Sequence, residues 1–180
     1  MAGGVRQYDS KIIFPKKERQ EFIKGESGVI FCGPPSANSS GGGCGAVYYK
    51  KSWRHNLINY KKIKESASVK FRVCPACQMI KNKQFEGEII IENVPDKSLN
   101  ELKNLINAFS KRAYEKDPLH RLINIKQKKS SLEITTTENQ LAVRLARKIK
   151  ETFKKSRMKI SYSSSPGDTV YIKIFFNKNG

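Results

Sequence analysis

Four cysteines are the residues of this 180-residue chain whose type and spacing could do chemistry. They fall into two pairs. Cys74-Pro75-Ala76-Cys77 has two intervening residues, whereas Cys32 and Cys44 are separated by eleven, with Gly45 directly after Cys44. Four thiolates make a closed tetrahedral zinc site with no position left for water. The Cys-x-x-Cys spacing suits a zinc knuckle, and a glycine behind a ligand lets the backbone turn tightly around the sulfur with positive φ. The longer spacing exceeds the usual gap of about two to four residues. Loop closure rises only slowly with length, so a flexible insert costs on the order of 1 kcal/mol. Cys32, Cys44, Cys74 and Cys77 are the expected ligands of one structural Zn²⁺. Two reduced thiol pairs, a redox Cys-x-x-Cys and an iron–sulfur site are the competing readings; no thioredoxin-like βαβ pattern surrounds the motif to favour the redox one.

The stretch between the pairs carries a second kind of chemistry. From Ala46 to Val73 there are eight basic residues (Lys50, Lys51, Arg54, Lys61, Lys62, Lys64, Lys70, Arg72) against one acid, Glu65. Tyr48, Tyr49, Trp53 and Tyr60 interleave with them, and His55 follows Arg54. Basic residues neutralise phosphates and aromatic faces stack on unpaired bases, a combination suited to single-stranded or looped RNA. The aromatics could equally fill a small core around the metal. A second basic stripe, Arg144, Arg147, Lys148, Lys154 and Lys155 with the single acid Glu151, recurs at helical spacing away from Leu141, Leu145, Ile149 and Phe153. Phosphate contact and a plain solvated face are both open there. Arg157 and Lys159 extend the stripe.

The whole composition agrees with a polyanionic partner. Lys and Arg number 35 against 16 acids, a formal charge of +19, with pI near 9.9. Such an excess repels itself unless a polyanion offsets it. Lysine enrichment alone would reflect compositional bias, but that does not explain the shortage of acids. A membrane surface is disfavoured because no amphipathic basic helix with a broad apolar, aromatic face stands out. No apolar run approaches the roughly 18–20 residues of a membrane span. The opening residues lack the apolar region of a secretory signal. With the spaced cysteines, this points to a reducing, cytoplasmic setting. Catalytic constellations are thin: there is no phosphate-cradling glycine loop ahead of a helix and no nucleophile–base pair, so an enzyme and a small-molecule substrate are not expected.

The elements that must hold these residues divide the chain in three. Residues 1–28 read as a basic flexible arm, with a short helix near Glu18–Lys24. Residues 29–83 read as the metal module: a strand at 29–31, a turn-rich glycine-serine excursion from Gly33 to Gly43, a strand after Gly45, and a returning strand at 71–73. Residues 84–180 read as an α+β domain in the order β-α-β-β-α-β-β, a two-layer sandwich with helices on one face of a mostly antiparallel sheet. Ser98 with Glu101 and Thr137 with Gln140 have the spacing of capping boxes at the two helix starts. The first of these helices is closed by Asp117-Pro118.

Cys44-Gly-Ala-Val-Tyr-Tyr-Lys-Lys-Ser-Trp53, Cys74-Pro-Ala-Cys-Gln-Met-Ile80 and the helix Leu141–Ile149 together resemble small bacterial zinc-binding proteins. Those in turn are similar to the N-terminal part of the large-ribosomal-subunit export adaptor of archaea and eukaryotes, the nonsense-mediated decay factor three family. The resemblance covers roughly residues 30–176. It implies a zinc-ribbon module ahead of an α+β region, the four cysteines as zinc ligands, and binding to ribosomal RNA or the large subunit. The chain departs from that pattern in its eleven-residue first knuckle and in lacking the later domains, so nuclear export is not implied. The expectation is a zinc-stabilised, monomeric RNA-binding accessory protein acting by occupancy, in assembly, anti-association or dormancy. A zinc-containing DNA-binding regulator is the alternative; no helix-turn-helix or symmetric dimer element supports it.

Overall fold

The computed structural model describes residues 29–33, 43–49, 51–55, 69–163 and 169–177. The expected arm at 1–28, most of the glycine-serine excursion, and Lys50, Lys61 and Lys62 lie outside the described residues. What is described is a mixed α+β structure of two sheets and three helices.

The smaller sheet is built from short β-branched and aromatic runs, which suit a pleated, half-buried surface. Its strands are β1 (Val29–Phe31), β2 (Val47–Tyr49), β3 (Ser52–Arg54) and β4 (Val69–Phe71), in the order β3-β2-β1-β4. β1 runs antiparallel to β2, with Ile30 opposite Tyr48, and parallel to β4, with Phe31 opposite Phe71. β3 is absent from the sequence expectation. It returns through a turn in which Lys51 takes φ 64°, a left-handed conformation that glycine or asparagine usually signals. The strand expected at 71–73 lies instead at 69–71, and helix α1 (Pro75–Lys81) follows, also unforeseen.

The larger unit runs β5 (Gly87–Glu92), α2 (Asp96–Lys116), β6 (Leu122–Lys128), β7 (Ser131–Thr136), α3 (Asn139–Thr152), β8 (Ser156–Tyr162) and β9 (Val170–Phe176). Its sheet has the order β6-β7-β5-β9-β8. All neighbours are antiparallel except β5 and β9, which run parallel at the centre. Alternation on the strands sends Ile89, Ile91, Leu132, Ile134, Ile172 and Ile174 to one face, all almost fully buried. That face packs with Leu102 and Ile106 of α2 and with Leu145 and Ile149 of α3 in one core. At Gly87 the strand and α3 approach so closely that an added Cβ would lie 2.4 Å from the Ala142 Cβ and 2.5 Å from the Thr136 Oγ1.

Neither expected capping box forms. α2 starts before Ser98: Pro95 holds extended backbone at φ −65°, ψ 138°, and Asp96 places an acid in the first turn, where the helix dipole favours it. At α3 the N-cap is Glu138. Thr137 is spent on tertiary contacts, its Oγ1 donating to the Leu119 carbonyl and accepting from the Arg121 amide at 2.9 Å. It therefore pins the loop after α2 to the end of β7.

Candidate metal centre

The four cysteines arrive from three places. Cys32 directly follows β1, Cys44 precedes the turn into β2, and Cys74 and Cys77 stand at the start of α1. Each position has a local cause. Gly45 takes φ 71°, the left-handed turn a knuckle requires. The Cys32 amide donates to the Ala46 carbonyl at 2.7 Å and the Gly45 amide to the Cys32 carbonyl at 3.2 Å, so the first pair is clamped by backbone despite its long separation. In the second pair Pro75 occupies the first helical turn, and the Cys74 side chain caps α1 by accepting from the Cys77 amide.

All four sulfurs lie within 4.8 Å of one another. The Cys44 Sγ–Cys74 Sγ separation is 3.7 Å. A tetrahedron of thiolates with 2.3 Å metal–sulfur bonds has S···S edges of about 3.8 Å, so the observed spacing fits a single enclosed ion. It is far too long for a disulfide, and all four thiols are free. Two backbone amides also point at sulfur: Cys74 N–H at the Cys32 Sγ, 3.1 Å, and Cys77 N–H at the Cys74 Sγ, 3.4 Å. Amide donors of this kind stabilise thiolate ligands and fix their direction.

The acid–base state of the cluster follows from this crowding. Hydrogen bonds from Cys32, Cys74 and Cys77 hold the Cys44 thiol far below the ordinary range. Cys32 falls to about 6, its bond with Cys44 acting upward while those with Cys74 and Cys77 act downward. The thiols of Cys74 and Cys77 are pushed up by their bonds with Cys32 and Cys44 and by burial. Four sulfurs this close cannot all ionise by themselves, because each new charge repels the last. A soft divalent cation among them removes that obstacle and releases protons as it binds.

Cys32 and Cys74 are buried, and Ala46, Ala76, Trp53 and Leu119 pack around the cluster. Leu119 belongs to the loop after α2, so the larger unit supplies part of the cysteine cluster's apolar cover. Further contact comes from His55, whose Nε2 hydrogen-bonds the Tyr114 carbonyl and whose ring stands edge-on to Tyr114 at 4.5 Å. On the same tyrosine the Arg121 guanidinium sits 4.5 Å from the ring centroid. This seam was invisible to sequence reasoning, since Tyr114 and Arg121 carry no spacing signal that ties them to His55.

The expected nucleic-acid residues are distributed over both units. Tyr49 is half-buried at the end of β2, and Lys51 and Arg54 are exposed, with the Arg54 Nε donating to the Ser52 Oγ at 3.2 Å. Trp53 is half-buried, edge-on to Tyr48 at 5.4 Å and against the cysteine cluster. Arg72 is exposed two residues before Cys74. On α3, Arg144, Arg147 and Lys148 are exposed; Lys148 approaches Glu151 at 3.7 Å, a surface pair of little energetic weight. Lys155 is exposed but not helical: α3 ends at Thr152, and Phe153 turns inward to pack on Phe176, so Lys154 and Lys155 occupy the turn into β8. Arg144 donates to the His120 Nδ1 at 3.2 Å, which brings the start of the α3 stripe to the loop that also carries Leu119 and Arg121.

No model of a known protein family matches the sequence, no curated protein matches it, and no solved structure matches its fold. Among the described residues, no helix is long and apolar enough to cross a membrane.

Proposed function

We propose that this chain is a zinc-stabilised RNA-binding accessory protein that docks on ribosomal RNA, on the large subunit, and acts by occupancy. The observation that carries the reading is the pairing of a metal-type cysteine cluster with a charge of +19. The basic residues concentrate at exposed positions on both units, Lys51, Arg54 and Arg72 on one and Arg144, Arg147 and Lys148 on the other. Zn²⁺ is the ion that four thiolates in a tetrahedron suit best, through soft ligands and a shell closed to water. When bound it supplies structure: it ties β1, the Cys44 turn and α1 together as a zinc ribbon ahead of the β-α-β-β-α-β-β region. A cytoplasmic location and a monomer in the free state complete the proposal.

The test is sedimentation of the purified protein with ribosomal subunits across a salt series. Binding through phosphates weakens steeply and linearly in log salt, by about 0.7 to 0.9 per phosphate neutralised. Absence from ribosomal fractions at low salt would sink the reading. Tighter binding to duplex DNA than to structured RNA at matched salt would move it to a DNA-binding regulator.

A further inference from the structure

Both helices of the larger unit pack on one face of its sheet, and the opposite face has a lopsided chemistry. Strand pairing fixes which residues share it. On β9 these are Tyr171, Lys173 and Phe175; opposite them on β8 stand Ser161, Lys159 and Arg157 respectively. The acids of this face, Glu88, Glu92 and Glu133, all belong to β5 and β7. The β8–β9 half therefore holds three cations and two aromatic rings, and its nearest acids are Glu88 and Glu92 of β5, the cross-strand partners of Tyr171 and of the half-buried Phe175. Tyr171 is 38% exposed, and Arg157, Lys159 and Lys173 are exposed as well.

One pairing sets like charges together, although Lys173 is partly offset by Glu88. Lys159 and Lys173 are direct cross-strand partners on the same face. Like charges in that position destabilise a sheet. An anion lying over the pair reverses the sign of that interaction. The aromatic residues flank the pair, Tyr171 on one side and Phe175 on the other, about 13 Å apart at the rise of a strand. A platform of rings separated by paired cations matches a chain of unpaired bases joined by phosphates, each base having a face to stack and each link a charge to neutralise.

We propose that the β8–β9 half of the open sheet face binds a single-stranded stretch of RNA, with Tyr171 and Phe175 stacking on bases and Lys159, Lys173 and Arg157 meeting the phosphates. The proposal rests on the RNA-binding reading and places the base contacts on the sheet, away from the α3 stripe.

The experiment measures binding of the full chain, metal-loaded, to a labelled uridine-rich RNA of about twelve nucleotides, within the site sizes of such platforms. The same sequence as DNA and an RNA duplex serve as comparators. Tyr171→Ala is expected to weaken RNA binding about tenfold. Lys159→Gln is expected to lower the salt slope by about 0.7 while raising the melting temperature, because it removes the repulsion and leaves Lys173 beside Glu88. A role confined to folding would not weaken binding and stabilise the protein together. Unchanged affinity in both variants, with loss only in Arg144→Gln/Arg147→Gln/Lys148→Gln, would overturn the platform and leave the ribosomal reading intact. Oligonucleotide binding that depends on Tyr171, in a protein that does not sediment with ribosomes, would keep the platform and remove the ribosome. Equal affinity for the DNA strand, or preference for the duplex, would overturn the assignment to single-stranded RNA. Dimerisation abolished by Tyr171→Ala would make a second copy the occupant and equally overturn it.

Discussion

His55 and Tyr114 join the two units: the imidazole Nε2 hydrogen-bonds the Tyr114 carbonyl, and the two rings meet edge to face. His55 ends the β3 hairpin, and Tyr114 lies in the last turn of α2, where carbonyls lack partners within the helix. One imidazole thus satisfies a helix end and docks the smaller, cysteine-bearing unit. His55→Ala should destabilise the fold by about 1–2 kcal/mol, a hydrogen bond plus an aromatic contact. It should also quicken metal release to a chelating dye while leaving the stoichiometry at one ion per chain. An unchanged release rate would show that the seam does not brace the metal site.

Metal removal should act unevenly. The cysteine cluster has its own small core, and the larger sheet has another. Chelation, or Cys74→Ser, is expected to melt the sheet of β1 to β4 and α1 while the sheet of β5 to β9 keeps its far-ultraviolet signal and hydrogen-exchange protection. Cys74 is the most consequential of the four cysteines to change, because its sulfur also caps α1 and the residue is fully buried. Loss of protection throughout both sheets on chelation would refute this division.

Gly87 is the tightest point of the larger core. Gly87→Ala forces a methyl group into Ala142 and Thr136 and should cost roughly 1–3 kcal/mol in urea denaturation. Gly45→Ala, where an added Cβ meets nothing within 4 Å, should act differently: its cost comes from the φ of 71°, and its readout is metal affinity.

Burial lowers the pKa of His120, and Arg144 acts in the same direction, while Asp117 acts against them. The Asp117 carboxylate, 3.9 Å from the Nε2, opposes the shift without reversing it, because burial is the larger influence. Folding therefore shifts the ring toward its neutral form, whose Nδ1 can accept from Arg144. A histidine with a lowered folded pKa contributes stability that is complete above its ordinary value of 6.5 and is lost as pH falls through the folded value. His120→Asn should flatten that part of the stability–pH curve, measured by urea midpoints from pH 7.5 downward. A slope that persists in the variant would assign it elsewhere.

Legibility in the sequence followed the range of the interaction. Ile89 and Ile91, Leu132 and Ile134, and the alternation of β9 read directly as strands, because one buried face forces a period of two. Leu141, Leu145 and Ile149 read as a helix face for the corresponding reason. The cysteine set was legible from two local cues, Cys-x-x-Cys and Gly45. What escaped depends on partners distant in the chain. Thr137 has the spacing of a cap, yet its hydroxyl is used by Leu119 and Arg121. β3 turns on a left-handed lysine that no turn signature marks. The parallel pairing of β5 with β9 leaves no trace in either strand alone.

That central pairing also dictates an order of events. β8 reaches the sheet only through β9, and β9 must slot in beside β5, whose other edge is already taken by β7. During synthesis, β5 to β7 and both helices can assemble while one edge of β5 stands open. The gap closes only when Val170–Phe176 arrives. Until then β5 offers a bare hydrogen-bonding edge to any matching strand, and the best-matched strand at high concentration is the β9 of another copy. Exchange of that β8–β9 hairpin between chains is the misassembly this topology most invites, and Arg157 and Lys159 of β8 set like charge against like as two such chains approach.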